Sequence, residues 1–179
     1  SMSRLKRRMQ QNLGELVQTE GLRAATWWTE GQEYPAGQIR EAWRDHLFND
    51  FHDILAGSSV ESGEQDALDL YGRSSETSRR LRLGAISGFF KGRHRVVQIP
   101  VTVLNMNPGA PDVPVELEYM IDHVPKFDGV WHARLFALDG SEISVQEEPA
   151  ESLLLPDQWR RKICFNAILP QIGAAYYRI

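Results

Sequence analysis

Cysteine is nearly missing from this chain. Cys164 stands alone in 179 residues, so there is no internal disulfide framework and no cysteine-based zinc site. That usage fits a reducing compartment, and a cytoplasmic location is the expectation. An excess of positive charge is also missing. Twenty Lys and Arg against 24 Asp and Glu leave a net charge of -4, which gives nucleic acid or an anionic membrane nothing to seek. No apolar run approaches the roughly 20 residues of a membrane span. The basic stretch from Ser3 to Gln11 is not followed by the apolar core of a signal peptide. There is no internal repeat and no low-complexity tract. What is present, 42% hydrophobic and 25% charged residues, suits one globular domain or two small ones.

Up to about Gly92 the apolar period is helical. Leu5, Met9, Leu13, Leu16 and Val17 predict an amphipathic helix from Ser3 to about Thr19. Between Gly21 and Gly37 the pattern is open: Ala24, Ala25, Trp27 and Trp28 suit a longer helix or a packed loop, and Tyr34-Pro35-Ala36-Gly37 is a turn. A second helix is expected from about Gln38 to Leu55, with Ile39, Trp43, Leu47, Phe51 and Ile54 as its stripe and Gly57 as its stop. Ser58 with Glu61 has the spacing of a capping box for a third helix. That helix runs to about Phe90 with a weak point at Gly72, or breaks at Gly84 or Gly88. Its acidic first half (Glu61, Glu64, Asp66, Asp69) and basic second half (Arg79, Arg80, Arg82, Lys91) complement a helix dipole. The region 3–92 therefore reads as an antiparallel three-helix bundle.

From Arg95 the period falls to two. Val101 to Asn105 is a strand closed by Asn107-Pro108-Gly109. Val115, Leu117, Tyr119 and Ile121 alternate with acidic residues. Val130 to Leu138 ends in the Asp139-Gly140 turn into Glu142 to Gln146, and Ile163 to Leu169 and Ala174 to Ile179 follow. The region 95–179 is expected to be antiparallel and sandwich-like, and the chain as a whole α+β. Both ends look cut: Ser1-Met2 resembles a cloning scar, and the last strand stops with the chain. The β domain is thus expected to be incomplete, with Tyr176 to Ile179 as an edge open to pairing.

The densest polar cluster lies between Leu47 and Ser59. On a continuous helix, Trp43, Leu47, Phe51, Ile54 and Leu55 take the core side, and Asp45, His46, Asn49, Asp50, His52 and Asp53 share the other. The plainest reading of that arc is a solvated face. A second is a two-ligand metal site at His46 and Asp50, spaced i and i+4. A third divides the work between neighbours. His52 and Asp53 diverge by about 100° on a helix, so one could bind a metal while the other grips the ligand on it. Among the remaining candidates, the five tryptophans are expected to pack, Ser58 and Ser59 to cap, and Cys164 to sit in the core. His94, His123 and His132 show no spacing that joins them.

The stretch Phe48-Asn49-Asp50-Phe51-His52-Asp53-Ile54-Leu55-Ala56-Gly57-Ser58-Ser59 closely resembles a signature segment of the family 38 glycoside hydrolases, the retaining α-mannosidases. It departs from their pattern at Asp50, where Gln is usual, and at Ala56, where Pro is usual. Val103-Leu104-Asn105-Met106-Asn107-Pro108 and Leu169-Pro170-Gln171-Ile172-Gly173 are similar to looser turn motifs of that family's β domain. The resemblance implies a helical middle domain and the start of a β-sandwich. It implies His52 as a zinc ligand and Asp53 as a substrate contact. It places an aspartate nucleophile that also binds zinc, with a further Asp and a His, in an N-terminal α/β domain of the same polypeptide. The chain is then an internal piece of an α-mannosidase, with no catalytic residue of its own, expected to be inactive and zinc-free by itself. Two other classes compete: a non-catalytic module binding protein or glycan, and a self-contained metal enzyme built on His46, Asp50 and His52.

Overall fold

The computed structural model of the chain describes residues 3–90, 98–121, 132–151 and 160–179. The chain divides into two compact units, 1–94 and 95–179.

The first unit is helical. α1 spans Ser3–Glu30, α2 Ala36–Phe48, α3 His52–Leu55 and α4 Glu61–Phe90. α1 continues well past Thr19, because Leu22 and Thr26 extend its buried stripe of Leu5, Asn12, Leu16 and Thr19. Trp27 and Trp28 are on this extension and are exposed rather than packed. α4 passes through Gly72, Gly84 and Gly88 unbroken. At Gly88 the missing side chain has a use: a Cβ there would lie 2.3 Å from Gln32 Nε2, which donates to the Ala85 carbonyl.

Two expectations fail at the helix junctions. The helix expected from Gln38 to Leu55 is two helices, broken at Asn49-Asp50-Phe51, where Phe51 is extended (φ -60, ψ 137). The capping box does not form either. Gly57, at φ 87, ends α3 and redirects the chain, so α4 starts at Glu61 and Ser58 Oγ donates back to the Asp53 carbonyl.

The second unit contains two antiparallel sheets among the described residues, ordered β1-β7-β3-β4 and β2-β6-β5. The strands are β1 Pro100–Asn105, β2 Asp112–Met120, β3 Leu135–Ala137, β4 Glu142–Ile143, β5 Gln146–Glu148, β6 Arg160–Ile168 and β7 Gly173–Arg178. Leu135, Ile163, Phe165 and Ala167 are buried, and Val103, Val115, Ala175 and Tyr177 pack on them from both sheets. Phe165 of β6 meets Tyr177 of β7 edge-on at 5.2 Å, so the sheets face each other as in a sandwich.

Three strand expectations change. Glu142 to Gln146 is not one strand: the chain leaves the first sheet after Ile143, and Gln146 pairs in the second opposite Cys164. Tyr176 to Ile179 is no edge, because β7 lies between β1 and β3. Cys164 is half-buried on the outer face of β6, since strand alternation points its neighbours Ile163 and Phe165 inward. The start of the strand expected from Val130, together with Trp131, Trp159, His94 and His123, lies outside the described residues. His132 is exposed, with Nδ1 3.3 Å from Glu147 Oε1.

Asn105 joins the two turn motifs. Its side-chain amide donates to the Gly109 and Pro170 carbonyls (2.7 and 2.8 Å) and its oxygen accepts from the Asn107 backbone (3.0 Å).

Candidate functional site

The polar arc expected on one continuous helix does not exist as a face. The buried residues of α2 are Ile39, Ala42 and His46, and Asn49 follows them inward at the helix end. Leu47, Phe48 and Phe51 are exposed instead, at 58%, 67% and 53%. Helical periodicity alone puts Leu47 and Phe51 on the core side and His46 and Asn49 on the polar side. The reversal has a packing cause. α2 lies against small residues of α4, where the Ala67 carbonyl accepts from the Asn49 amide and the Ser74 hydroxyl donates to the Ala42 carbonyl.

His46 is the centre of that buried layer. Its Nδ1 is 2.7 Å from Asn12 Oδ1 on α1. Asn12 in turn donates to Ser74 and Ser75, and Ser74 donates to the Ala42 carbonyl (2.9 Å). The imidazole meets Trp43 and Tyr71 edge-on, at 5.7 and 5.6 Å. Burial pushes its pKa below the ordinary value, and the nearby Asp50 carboxylate partly opposes that shift. The same burial, with Asp50 adding to it, pushes Tyr71 up to about 12. His46 Nε2 is 4.0 Å from Asp50. A two-ligand metal site there would have to take a ring already held by Asn12. Among the described residues no three His, Cys, Asp or Glu gather into a metal-binding group, and the buried His46 and the exposed His52 face different surroundings.

Asn49 faces the opposite way from the exposed His52. It is fully buried, and Nδ2 donates to the Ala67 carbonyl of α4 at 2.9 Å. Asp45 is paired with Arg73 of α4 through two hydrogen bonds.

His52 and Asp53 remain. They open the short helix α3, with side chains 78% and 61% exposed. His52 Nε2 is 3.6 Å from Asp53 Oδ2, the two side chains meeting at the first turn of α3. The Phe51 ring lies against the imidazole at 4.3 Å. Ile54, two residues on, packs at the end of the bundle on the cluster of Leu5, Ala67 and Tyr71. One face of α3 is thus anchored while the other presents an imidazole and a carboxylate outward, beside exposed aromatic rings. An exposed imidazole can donate one nitrogen to a metal, and an adjacent carboxylate can accept hydrogen bonds from a polyol.

The residues that sequence reasoning missed are the buried anchors Asn12, Asn49 and Ser74. A signal existed. Asn12, Thr19 and Thr26 recur every seven residues between leucines on α1, and all three are buried.

Comparison with known proteins bears on this arrangement. The family model described as the alpha mannosidase middle domain matches residues 1–87. A 38-residue stretch is 42% identical to Alpha-mannosidase 2C1 of Mus musculus, covering 21% of this chain and 4% of that protein. The structure of an alpha-mannosidase from Enterococcus faecalis V583 superposes with a TM-score of 0.67 at 15% identity, over 89% of this chain and 21% of that one. A protein in glycosyl hydrolase family 38 from Enterococcus faecalis superposes at 0.70 and 16% identity, over 93% of this chain and 24% of that one. The chain spans about a quarter or less of the length of each of these relatives.

Proposed function

We propose that this chain, whose residues 1–87 are a family 38 α-mannosidase middle domain, supplies one zinc ligand, His52, and one sugar contact, Asp53, to the active site of a larger α-mannosidase. The observation that carries this reading is the outward pair on α3: an imidazole and a carboxylate 3.6 Å apart, both exposed, on a short helix anchored from below by Ile54.

The donor set fits a shared metal site and not a complete one. His52 offers one nitrogen, and a zinc ion is held by three or more protein ligands. The others belong to an N-terminal α/β domain of the same polypeptide, a requirement that accords with the much greater length of the relatives. Leu47, Phe48 and Phe51 give that domain an apolar rim to pack on, around the charged pair. Bound zinc would supply a Lewis-acidic anchor for neighbouring sugar hydroxyls. His52 holds its share of that anchor. Asp53 accepts a hydrogen bond from the mannose and fixes the ring against the reacting carboxylates. Hydrolysis with retention needs two such carboxyl groups, a nucleophile and an acid/base, and neither is assigned to this chain. By itself the chain is therefore inactive toward α-mannosides. The lone thiol fits a cytoplasmic setting. Among the described residues no helix is long and apolar enough to cross a membrane.

The test uses the full-length enzyme. His52→Ala should lose zinc and at least roughly tenfold in α-mannoside hydrolysis together, as removal of a direct ligand requires. Asp53→Asn should keep zinc and turn over more slowly. Full zinc content with full activity in His52→Ala would overturn the assignment.

A second reading rests on Trp27 and Trp28, 53% and 81% exposed near the end of α1 with rings 6.3 Å apart. Such a pair offers a stacking face to a glycan bound without catalysis. Titration of the chain alone with α-mannosides separates the two readings.

A further inference from the structure

We propose that Asn49 is a positioning residue for His52 and Asp53, acting through the helix break that it holds in place. The proposal deepens the reading above and rests on it.

The buried stripe of α2 shows what the break accomplishes. Ile39, Ala42, His46 and Asn49 point into the bundle. At about 100° per residue, the next position on that stripe is Asp53, within about 20° of the direction of His46. An unbroken helix would therefore drive the Asp53 carboxylate into the bundle, against Ala67 and Tyr71. In the observed structure Asp53 is 61% exposed instead.

The chain makes that change within three residues. The end of α2 tightens, with Asn49 N–H donating to the His46 carbonyl (3.1 Å) and Asp50 N–H to that of Leu47 (3.2 Å). Phe51 is then extended, and α3 begins anew at His52. Asn49 is the last buried residue before the turn. Its side chain reaches α4, donating to a carbonyl in the helix interior at Ala67, a residue 1% exposed. Ala67 is also in the cluster on which Ile54 packs. The break is thus pinned on both sides to one patch of α4, by a directional hydrogen bond before it and an apolar contact after it. An apolar residue at position 49 would fill the space but leave the phase of the break unset, because apolar contacts carry little direction.

The experiment measures zinc affinity and thermal unfolding of the full-length enzyme in three variants. Asn49→Leu removes the hydrogen bond while keeping bulk. Leu81→Ala opens a cavity in the same bundle, roughly 21 Å further along α4 at 1.5 Å per residue, and controls for lost stability. His52→Ala reports on the underlying reading. Asn49→Leu should weaken zinc binding roughly tenfold or more, in the range seen when a residue that orients a ligand is lost. Leu81→Ala should lower the unfolding temperature at least as much and hold zinc like the wild type. Should Asn49→Leu not fold, Asn49→Ala takes its place and is read in the same way. Wild-type zinc affinity in the Asn49 variant overturns the positioning role while leaving His52 as ligand. Equal weakening in Leu81→Ala overturns it as well, by showing a general loss of stability. Zinc retained by His52→Ala overturns the ligand assignment itself and the positioning role with it.

Discussion

His46 on α2 and Asn12 on α1 face each other across the bundle, Nδ1 to Oδ1 at 2.7 Å, with the two residues 2% and 0% exposed. The Asn12 amide nitrogen is spent on Ser74 and Ser75, so its oxygen is the acceptor and His46 Nδ1 carries the proton. Nε2 is then the bare nitrogen, turned toward Asp50. A small bundle with polar residues in its core gains register from such a pair, since a shifted helix would leave each group unpaired.

Removing one partner should therefore cost more than removing both. Asn12→Leu strands a buried Nδ1–H and should destabilise the chain by about 1–3 kcal/mol. Adding His46→Leu should recover a good part of that loss. Urea unfolding of both variants decides the matter, and a loss below about 0.5 kcal/mol in Asn12→Leu would show that the pair carries little.

Acid should act on the same residue. Burial holds the folded pKa of His46 below its ordinary 6.5, so the unfolded chain binds the proton more readily. The stabilisation is complete above pH 6.5. It declines as the pH falls from there toward the depressed folded value, and then levels off. Unfolding free energies measured from pH 7.5 downward should show this slope in the wild type and a smaller one in His46→Gln. Identical slopes would remove His46 as the source.

The glycines of α4 should separate by their surroundings. A Cβ on Gly72 meets nothing within 4 Å, so Gly72→Ala should raise stability by about 0.5–1 kcal/mol through helix propensity alone. Gly88→Ala should gain less, because Gln32 must move away and give up its bond to the Ala85 carbonyl. Thermal denaturation ranks the two, and a larger gain at Gly88 would contradict the close approach.

In the β unit, Ile172 has φ at 36°, a conformation that penalises a β-branched side chain. The side chain is 62% exposed and has little packing to lose, while the backbone N–H donates to the Asn107 carbonyl. Ile172→Asn should keep that bond and raise stability by about 1 kcal/mol. A lower unfolding temperature in this variant would mean that the isoleucine earns its place by contacts.

Much of the architecture was legible in local pattern. The change of apolar period near Gly92 separates helices from strands, because a helix and a strand return a side chain to the same face after different numbers of residues. Gly57 announced the end of a helix, and its φ of 87 is the reason. The turn at Asn107-Pro108-Gly109 closed β1 where expected. The face that α2 buries was not legible. Leu47 and Phe51 are apolar and exposed, while His46 and Asn49 are polar and buried, so a hydrophobicity count points the wrong way.

By itself, then, the sequence determined that helices come before strands, where most of them lie and which segment carries His52 and Asp53, all of which depend on residues a few positions apart. The tertiary structure decided which way that segment faces. Asn12, Ala67 and Ser74 are distant along the chain from His46 and Asn49, and only their meeting supplies the partners that let an imidazole ring and an amide nitrogen be buried there. Placement of β7 between β1 and β3 has the same origin. Whether a strand is an edge is a property of its neighbours, and those neighbours come from elsewhere in the chain.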